Sequence, residues 1–272
     1  MRTQAEKGRL FKERHAKPGI LILPNPWDAG TAKLLQSLGF EALATTSLGM
    51  SNALGRADGE GSASRAELIE NCRVIAGATD LPVNADLENG YADDPKEAAT
   101  ILRDAAAVGI VGGSIEDWSG EKIYDFNHAV ERVVAGVEMA RSLPVPFTFV
   151  ARAENLIRGR LDLDDTIKRL QAFEKAGADV LYAPGVRDLA TMKLVASSVS
   201  KPINVVMSAA DPALTAAEME AVGVKRLSVG GALSRLALAA FMKGAREMKD
   251  KGGFTWMRET MATKDLKAVF RD

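Results

Sequence analysis

Charged side chains stand at the ends of three short apolar runs, where a parallel strand would stop. Val83-Asn84-Ala85-Asp86 closes one run, Gly113-Ser114-Ile115-Glu116 a second and Val150-Ala151-Arg152 a third, with Glu154 just beyond. Strand side chains alternate between faces, so Asn84 and Asp86 share one. An inward carboxylate loses too much hydration to stand without a cation. A buried ion pair meets that need, and Arg152 could partner Glu116 or Glu154 with no ligand involved. A hard divalent cation meets it too, because oxygen ligands suit Mg2+ or Mn2+, which keep several waters. Arg152 would then offer its planar fork to a substrate carboxylate. A metal so placed could take the 2-oxo and carboxylate oxygens of a keto acid and stabilise an enolate as a bond to C3 breaks.

A second group of residues follows another apolar run. Thr45-Thr46-Ser47-Leu48-Gly49 leads to Leu54-Gly55-Arg56-Ala57-Asp58-Gly59. Small residues with free backbone N–H groups can cradle a carboxylate or phosphate. A flexible loop accounts for the same composition.

These groups need a scaffold that gathers strand ends. Apolar runs over 20–23, 41–45, 82–86, 111–116, 147–151, 179–182, 202–207 and 225–229 read as eight strands buried on both faces. Helical rhythm covers 28–38, 64–76, 95–108, 162–176, 188–198 and 215–222. Ser64 with Glu67 has the spacing of a capping box. Pro95 and Gly109 follow the asymmetry of proline at a helix start and glycine past its end. Gly39, Gly177 and Gly223 each precede a strand, where the chain must turn. Eight such units in 272 residues predict an α/β fold, a (β/α)8 TIM barrel in one domain over 1–272. An N-terminal helix over 3–17 and a C-terminal helical segment over 254–272 flank it. A doubly wound open sheet is the alternative. In a barrel, chemistry sits at the C-terminal strand ends, where Asp86, Glu116 and Arg152 fall.

Composition narrows the partners. Lys and Arg number 35 against 36 Asp and Glu, so no net charge recruits nucleic acid or an anionic membrane. No apolar run reaches the roughly 18 residues of a membrane span, and the N-terminus lacks a signal-peptide core. The expectation is a cytoplasmic protein. Cys72 is the single cysteine, so no intrachain disulfide forms. It lies inside the 64–76 helix as a structural thiol. His15 is read as a solvated residue of the first helix.

At the strand-end residues the sequence resembles the isocitrate lyase/phosphoenolpyruvate mutase superfamily. The ordered motifs are Thr46–Leu48, Leu54–Asp58, Asn84–Tyr91, Ser114–Asp117 and Ala151–Glu154. The resemblance runs from Pro24-Asn25-Pro26-Trp27-Asp28-Ala29 to the strand at Pro202. It implies a Mg2+-dependent enzyme acting on a small carboxylate, and a homotetramer whose barrels exchange their last helix; a dimer is the smaller form considered. It implies Asp58, Asp86 and Glu116 at the metal, directly or through water. Arg152 would hold the substrate carboxylate, and Thr46, Ser47 and Leu48 the pyruvyl end, with Tyr91 beside them. Arg152, Asp58 and Glu116 are the expected catalytic set.

Two departures shape the expected reaction. Asn84 replaces the first acid of the D-x-D pair, leaving an amide oxygen as ligand and one charge fewer. The K-K-C-G-H signature of isocitrate and methylisocitrate lyases is also missing: the region reads Trp118-Ser119-Gly120-Glu121-Lys122-Ile123-Tyr124-Asp125-Phe126-Asn127-His128. The usual thiol acid is therefore absent, and Tyr91, Lys122, Tyr124 and His128 are the alternatives for a proton donor, each with an ordinary surface role as well. The resulting expectation is a C–C lyase or decarboxylase for a smaller 2-oxo or 2-hydroxy acid. Phosphoenolpyruvate mutase or phosphonopyruvate hydrolase chemistry, and an inactive or sensor barrel, are the alternatives.

Overall fold

The computed structural model describes residues 2–59 and 61–271. Residues 1, 60 and 272 of the expected domain and its C-terminal segment lie outside the described residues. Eight strands form: β1 Leu21–Leu23, β2 Leu43–Ala44, β3 Val83–Asp86, β4 Gly112–Glu116, β5 Thr148–Arg152, β6 Val180–Tyr182, β7 Ile203–Val206 and β8 Arg226–Ser228. Every ladder is parallel, and the order is β1-β8-β7-β6-β5-β4-β3-β2. The seam between β1 and β2 is joined by the Ala44 N–H, which donates to the Pro24 carbonyl at 3.1 Å. Asn25 braces the same seam. Its Nδ2 donates to the Thr45 carbonyl at 2.8 Å, and its Oδ1 accepts from the Val229 and Gly230 N–H groups, each at 2.9 Å. The result is a nearly closed (β/α)8 barrel with added C-terminal helices.

The helices are α1 Gln4–Ala16, α2 Ala29–Ser37, α3 Ser47–Ala53, α4 Arg65–Ala78, α5 Pro95–Ala107, α6 Phe126–Ser142, α7 Leu163–Ala176, α8 Leu189–Ser197, α9 Ala216–Ala221, α10 Ala232–Lys251 and α11 Thr263–Phe270, with a 3-10 turn at Thr255–Glu259. The Ser64–Glu67 box caps α4 in both directions. Gly177 ends α7 at φ 105, a left-handed turn that a side chain would resist. Three helices depart from the sequence reading, among them α10, which no expected helical range covers. The Thr46–Gly49 stretch read as a loop is the start of α3, with Thr46 as its N-cap. Phe126 begins α6, so the region after β4 is a short loop feeding a long helix.

The main core lies between the sheet and its helices, around Phe147, Phe149, Phe173, Leu102 and Leu170, all buried. Phe11 of α1 joins Leu21, Leu23 and Val111 in a separate buried cluster. A Cβ on Gly112 would lie 2.8 Å from the Phe11 ring and 2.9 Å from Asn84 Oδ1, so only glycine fits that point of β4.

His15 is not solvated as expected. Its ring meets Phe11 edge-on at 4.6 Å, its Nδ1 lies 2.8 Å from the Phe11 carbonyl, and its Nε2 is buried without a hydrogen bond. Burial pulls its pKa down to about 4. Phe11, four residues earlier on the same helix face, is what draws the ring inward.

Residues 235–243 of α10 are exposed, with Phe241 70% and Leu236 66% accessible. The chain beyond folds back on this helix. Trp256 packs over Gly244, and the Thr255 N–H and O–H donate to Glu247 at 2.6 and 2.8 Å. Phe270 of α11 reaches Gly30 of α2.

Candidate active site

The last residues of β3, β4, β5 and β6 are Asp86, Glu116, Arg152 and Tyr182. The barrel brings three of the predicted residues together. Arg152 Nη1 lies 3.5 Å from Asp86 Oδ1 and 3.2 Å from Glu116 Oε2. Arg152 Nε also donates to Glu154. Arg158, one turn on, closes the ring: Nη2 reaches Glu116 Oε1 at 3.3 Å and Nε reaches Glu154 Oε2 at 3.1 Å. Its guanidinium stacks 4.5 Å from the centre of the Trp118 ring. Three carboxylates thus share two guanidinium forks. Both glutamates are buried, whereas the Asp86 side chain keeps 21% of its surface open. Burial pushes the Glu116 carboxyl well above the usual range, and Arg152 opposes that rise.

Backbone anchors fix the Asp86 end. The Asp86 N–H donates to Thr45 Oγ1 at 2.9 Å, and Ser47 Oγ donates to Asp86 Oδ2 at 3.3 Å. Thr46 spends its hydroxyl as the α3 cap, accepting from the Gly49 N–H at 3.3 Å. Ser47 and Leu48 occupy the first turn, where a helix offers its own N–H groups no acceptor.

Other predicted residues lie apart from this ring or face elsewhere. Asp58 is exposed in the loop between α3 and α4. Among the described residues no three acidic, histidine or cysteine side chains gather as a metal-holding group. Asn84 is buried, and its Oδ1 accepts from Arg226 Nη1 at 3.5 Å. The Tyr91 hydroxyl donates to the Ala63 carbonyl at 3.1 Å, and burial raises its pKa. Tyr124 donates to Asp93, and burial pushes its pKa up to about 12. Cys72 is buried and its thiol rises to about 12 for the same reason. Asp117 is structural in its contacts: it accepts from Arg169 Nη1 at 2.9 Å and from the Glu154 N–H at 2.7 Å. Burial pushes its pKa to about 6.

Sequence reading missed Arg158, Tyr182, Asn204 and Arg226. The last three line a cavity of about 40 Å3 together with Asp86, Asn84 and Arg152. A signal existed: Asn204 and Arg226 are polar residues inside otherwise apolar strand segments.

The residues fit a small hard cation in one way. Mg2+ is commonly held by one or two carboxylates, with substrate and water completing its shell. Asp86 and Glu116 sit on neighbouring strand ends and share a cation already, which is what such a pair requires. They do not make a cage from protein ligands alone.

A family model described as phosphoenolpyruvate phosphomutase matches residues 11–249, which span every strand of the barrel and the whole Asp86–Glu116–Arg152 ring. The chain belongs to the isocitrate lyase/phosphoenolpyruvate mutase superfamily. Members of this superfamily are lyases and mutases, typically dependent on a divalent metal. An uncharacterised protein of Mycobacterium tuberculosis (strain ATCC 25618 / H37Rv) is 30% identical over 242 residues, 88% of this chain and 89% of that one. The 2-methylisocitrate lyase of Escherichia coli (strain K12) is 28% identical over 247 residues, 85% of this chain and 81% of the enzyme. A crystal structure from Burkholderia cenocepacia J2315, provisionally described as a lyase/mutase, superposes with a TM-score of 0.96 at 47% identity, covering 99% of this chain and 97% of that one.

Proposed function

We propose that this protein is a Mg2+-dependent lyase that cleaves or forms a C–C bond next to a 2-oxo or 2-hydroxy acid. The observation that carries the reading is the placement of Asp86 and Glu116 on adjacent strand ends around one guanidinium. Asp86 and Glu116 would hold the ion, with Asp58 as an outer contributor through water, whereas the Asn84 oxygen is turned to Arg226. The ion supplies positive charge to the oxygens of the acid and of the enolate left when the bond breaks. Arg152, released in part from Asp86, turns its fork to a substrate carboxylate. The Ser47 and Leu48 N–H groups would donate to the oxygens of the pyruvyl end, and Ser47 Oγ steadies Asp86. Tyr91, whose hydroxyl is engaged by the Ala63 carbonyl, would border the substrate from the β3 loop. Arg158 keeps Glu116 and Glu154 neutralised while Arg152 shifts.

The test is a panel of 2-oxo and 2-hydroxy acids assayed for pyruvate-type products with and without Mg2+. Release that EDTA stops supports the reading; turnover that survives in EDTA refutes it. The phosphomutase description of the matching family model favours P–C chemistry as the second reading. Phosphorus NMR after incubation with phosphonopyruvate separates the two, because an unchanged spectrum excludes it.

We further propose a homo-oligomer, a tetramer or a dimer, in which α10 covers a neighbouring barrel. Leu236, Leu238, Phe241 and Met242 leave a large apolar face on α10 open to solvent. Light scattering checks this: a monomer at micromolar concentration refutes it.

A further inference from the structure

Arg226 is a buried guanidinium with no counter-charge. The residue is 3% exposed. The other buried arginines are compensated: Arg169 pairs with Asp117 and Asp165, and Arg132 donates to three backbone carbonyls. Arg226 has no carboxylate at ion-pair distance among the described residues. Its Nη1 makes a 3.5 Å contact to Asn84 Oδ1, its Nε has no partner, and the Phe11 ring lies 5.9 Å away. Burial lowers its pKa to about 10, which leaves it charged at neutral pH. A guanidinium offers five N–H donors, and a buried charge without compensation is costly.

The surroundings complement that excess of donors. Asn204, beside Arg226 in the β7–β8 register, donates through Nδ2 to Ser228 Oγ at 3.1 Å. Its Oδ1 is a buried acceptor without a partner. Both residues line the cavity of about 40 Å3 that opens toward Asp86 and Arg152. One water needs roughly 10–15 Å3 of such space, so the cavity takes a group larger than a single water. Water would satisfy the N–H groups but would leave the charge uncompensated.

We infer that Arg226, Asn84 and Asn204 form a seat in the barrel core for the carboxylate of a small oxyanion. The guanidinium donates to the carboxylate, and Asn204 Oδ1 accepts an O–H from the same ligand or from water. The amide at position 84 is what keeps the seat open. An aspartate there would neutralise Arg226 itself and exclude an anion. The carboxylate belongs either to a free monoanion or to one arm of the substrate. Only the second source rests on the lyase reading.

Bromide is the direct probe. Crystals of the full chain soaked in sodium bromide should show an anomalous peak within hydrogen-bonding distance of Arg226. Water alone at that point overturns the seat, whether or not the protein is a lyase. Thermal shifts identify the source. If a free monoanion occupies it, formate stabilises the wild type but not Arg226→Met. If a substrate arm occupies it, malate in Mg2+ binds the wild type more tightly than lactate, and that preference weakens about 10- to 100-fold in Arg226→Met. Asn84→Asp keeps Arg226 in place and should lose the same response, so the test stands even if the methionine variant folds poorly. Unchanged anion responses in the variants refute the proposal.

Discussion

Replacing Arg152 by alanine removes the cation that Asp86, Glu116 and Glu154 share. The Glu154 side chain has no exposed surface and the Glu116 side chain 4%. Breaking a buried ion pair costs about 3–5 kcal/mol, because the surviving charge is left without compensation. Arg158 still reaches Glu116 at 3.3 Å and Glu154 at 3.1 Å, which puts the loss at the lower end. At about 3 kcal/mol, and roughly 2–4 °C per kcal/mol for a chain of this size, the melting temperature should fall by about 6–12 °C in EDTA. Magnesium should then return much of it. An ion at a hundred times its Kd contributes about 2.7 kcal/mol. In the wild type the gain should be smaller, because the ion competes with Arg152 for Asp86 and Glu116. The assay is thermal melting of both proteins across a Mg2+ series. Equal melting temperatures in EDTA, or equal Mg2+ responses, would refute the shared-cation reasoning.

Four further outcomes follow from particular contacts. His15 has a folded pKa of about 4 against 6.5, so the folded state binds fewer protons than the unfolded state. Its contribution is present above pH 6.5 and is lost as pH falls toward 4, by about 3 kcal/mol; urea melts of wild type and His15→Gln should diverge in slope across that window and not above it. Asp117→Ala leaves the buried Arg169 with Asp165 as its one remaining carboxylate among the described residues, and should cost about 3 kcal/mol, the lower end for a broken buried pair, by urea denaturation. Gly112→Ala drives a Cβ into Phe11 and Asn84, so about 1–3 kcal/mol should be lost in the same assay. Cys72, buried and with its pKa pushed up to about 12, should resist a thiol reagent at pH 8 until denaturant is added.

The eight strands were legible because strands covered on both faces are short continuous apolar runs, and glycines mark the turns before them. The structure trims seven of the runs by one to three residues, since hydrogen bonding stops before apolar character does, and shifts the 147–151 run by one residue so that β5 ends on Arg152. Helix α3 was not legible: Ser47-Leu48-Gly49-Met50-Ser51-Asn52-Ala53 has no 3.6-residue stripe, and tertiary burial holds it rather than propensity. Helix α6 starts at Asp125 without a side-chain cap bond, so its beginning carried no signature. At the site, the strand-end positions of Asp86, Glu116 and Arg152 were legible, and the barrel brings the Arg152 guanidinium to 3.5 and 3.2 Å of the two carboxylates. Arg158 lies one turn beyond Glu154, in a segment whose local turn no pattern foretold. Asn84 shows the limit of motif reading. Its spacing suggests a ligand oxygen, but the oxygen faces Arg226, a residue 142 positions away.

Mn2+ binding followed by electron paramagnetic resonance tests the central claim most directly. Titrating wild type, Asp86→Ala and Glu116→Gln under identical conditions reports occupancy without any knowledge of substrate. The account predicts one bound Mn2+ per chain in the wild type, displaced by Mg2+, with binding lost in Asp86→Ala and weakened in Glu116→Gln. Mn2+ bound equally by all three proteins, or by none, would contradict it.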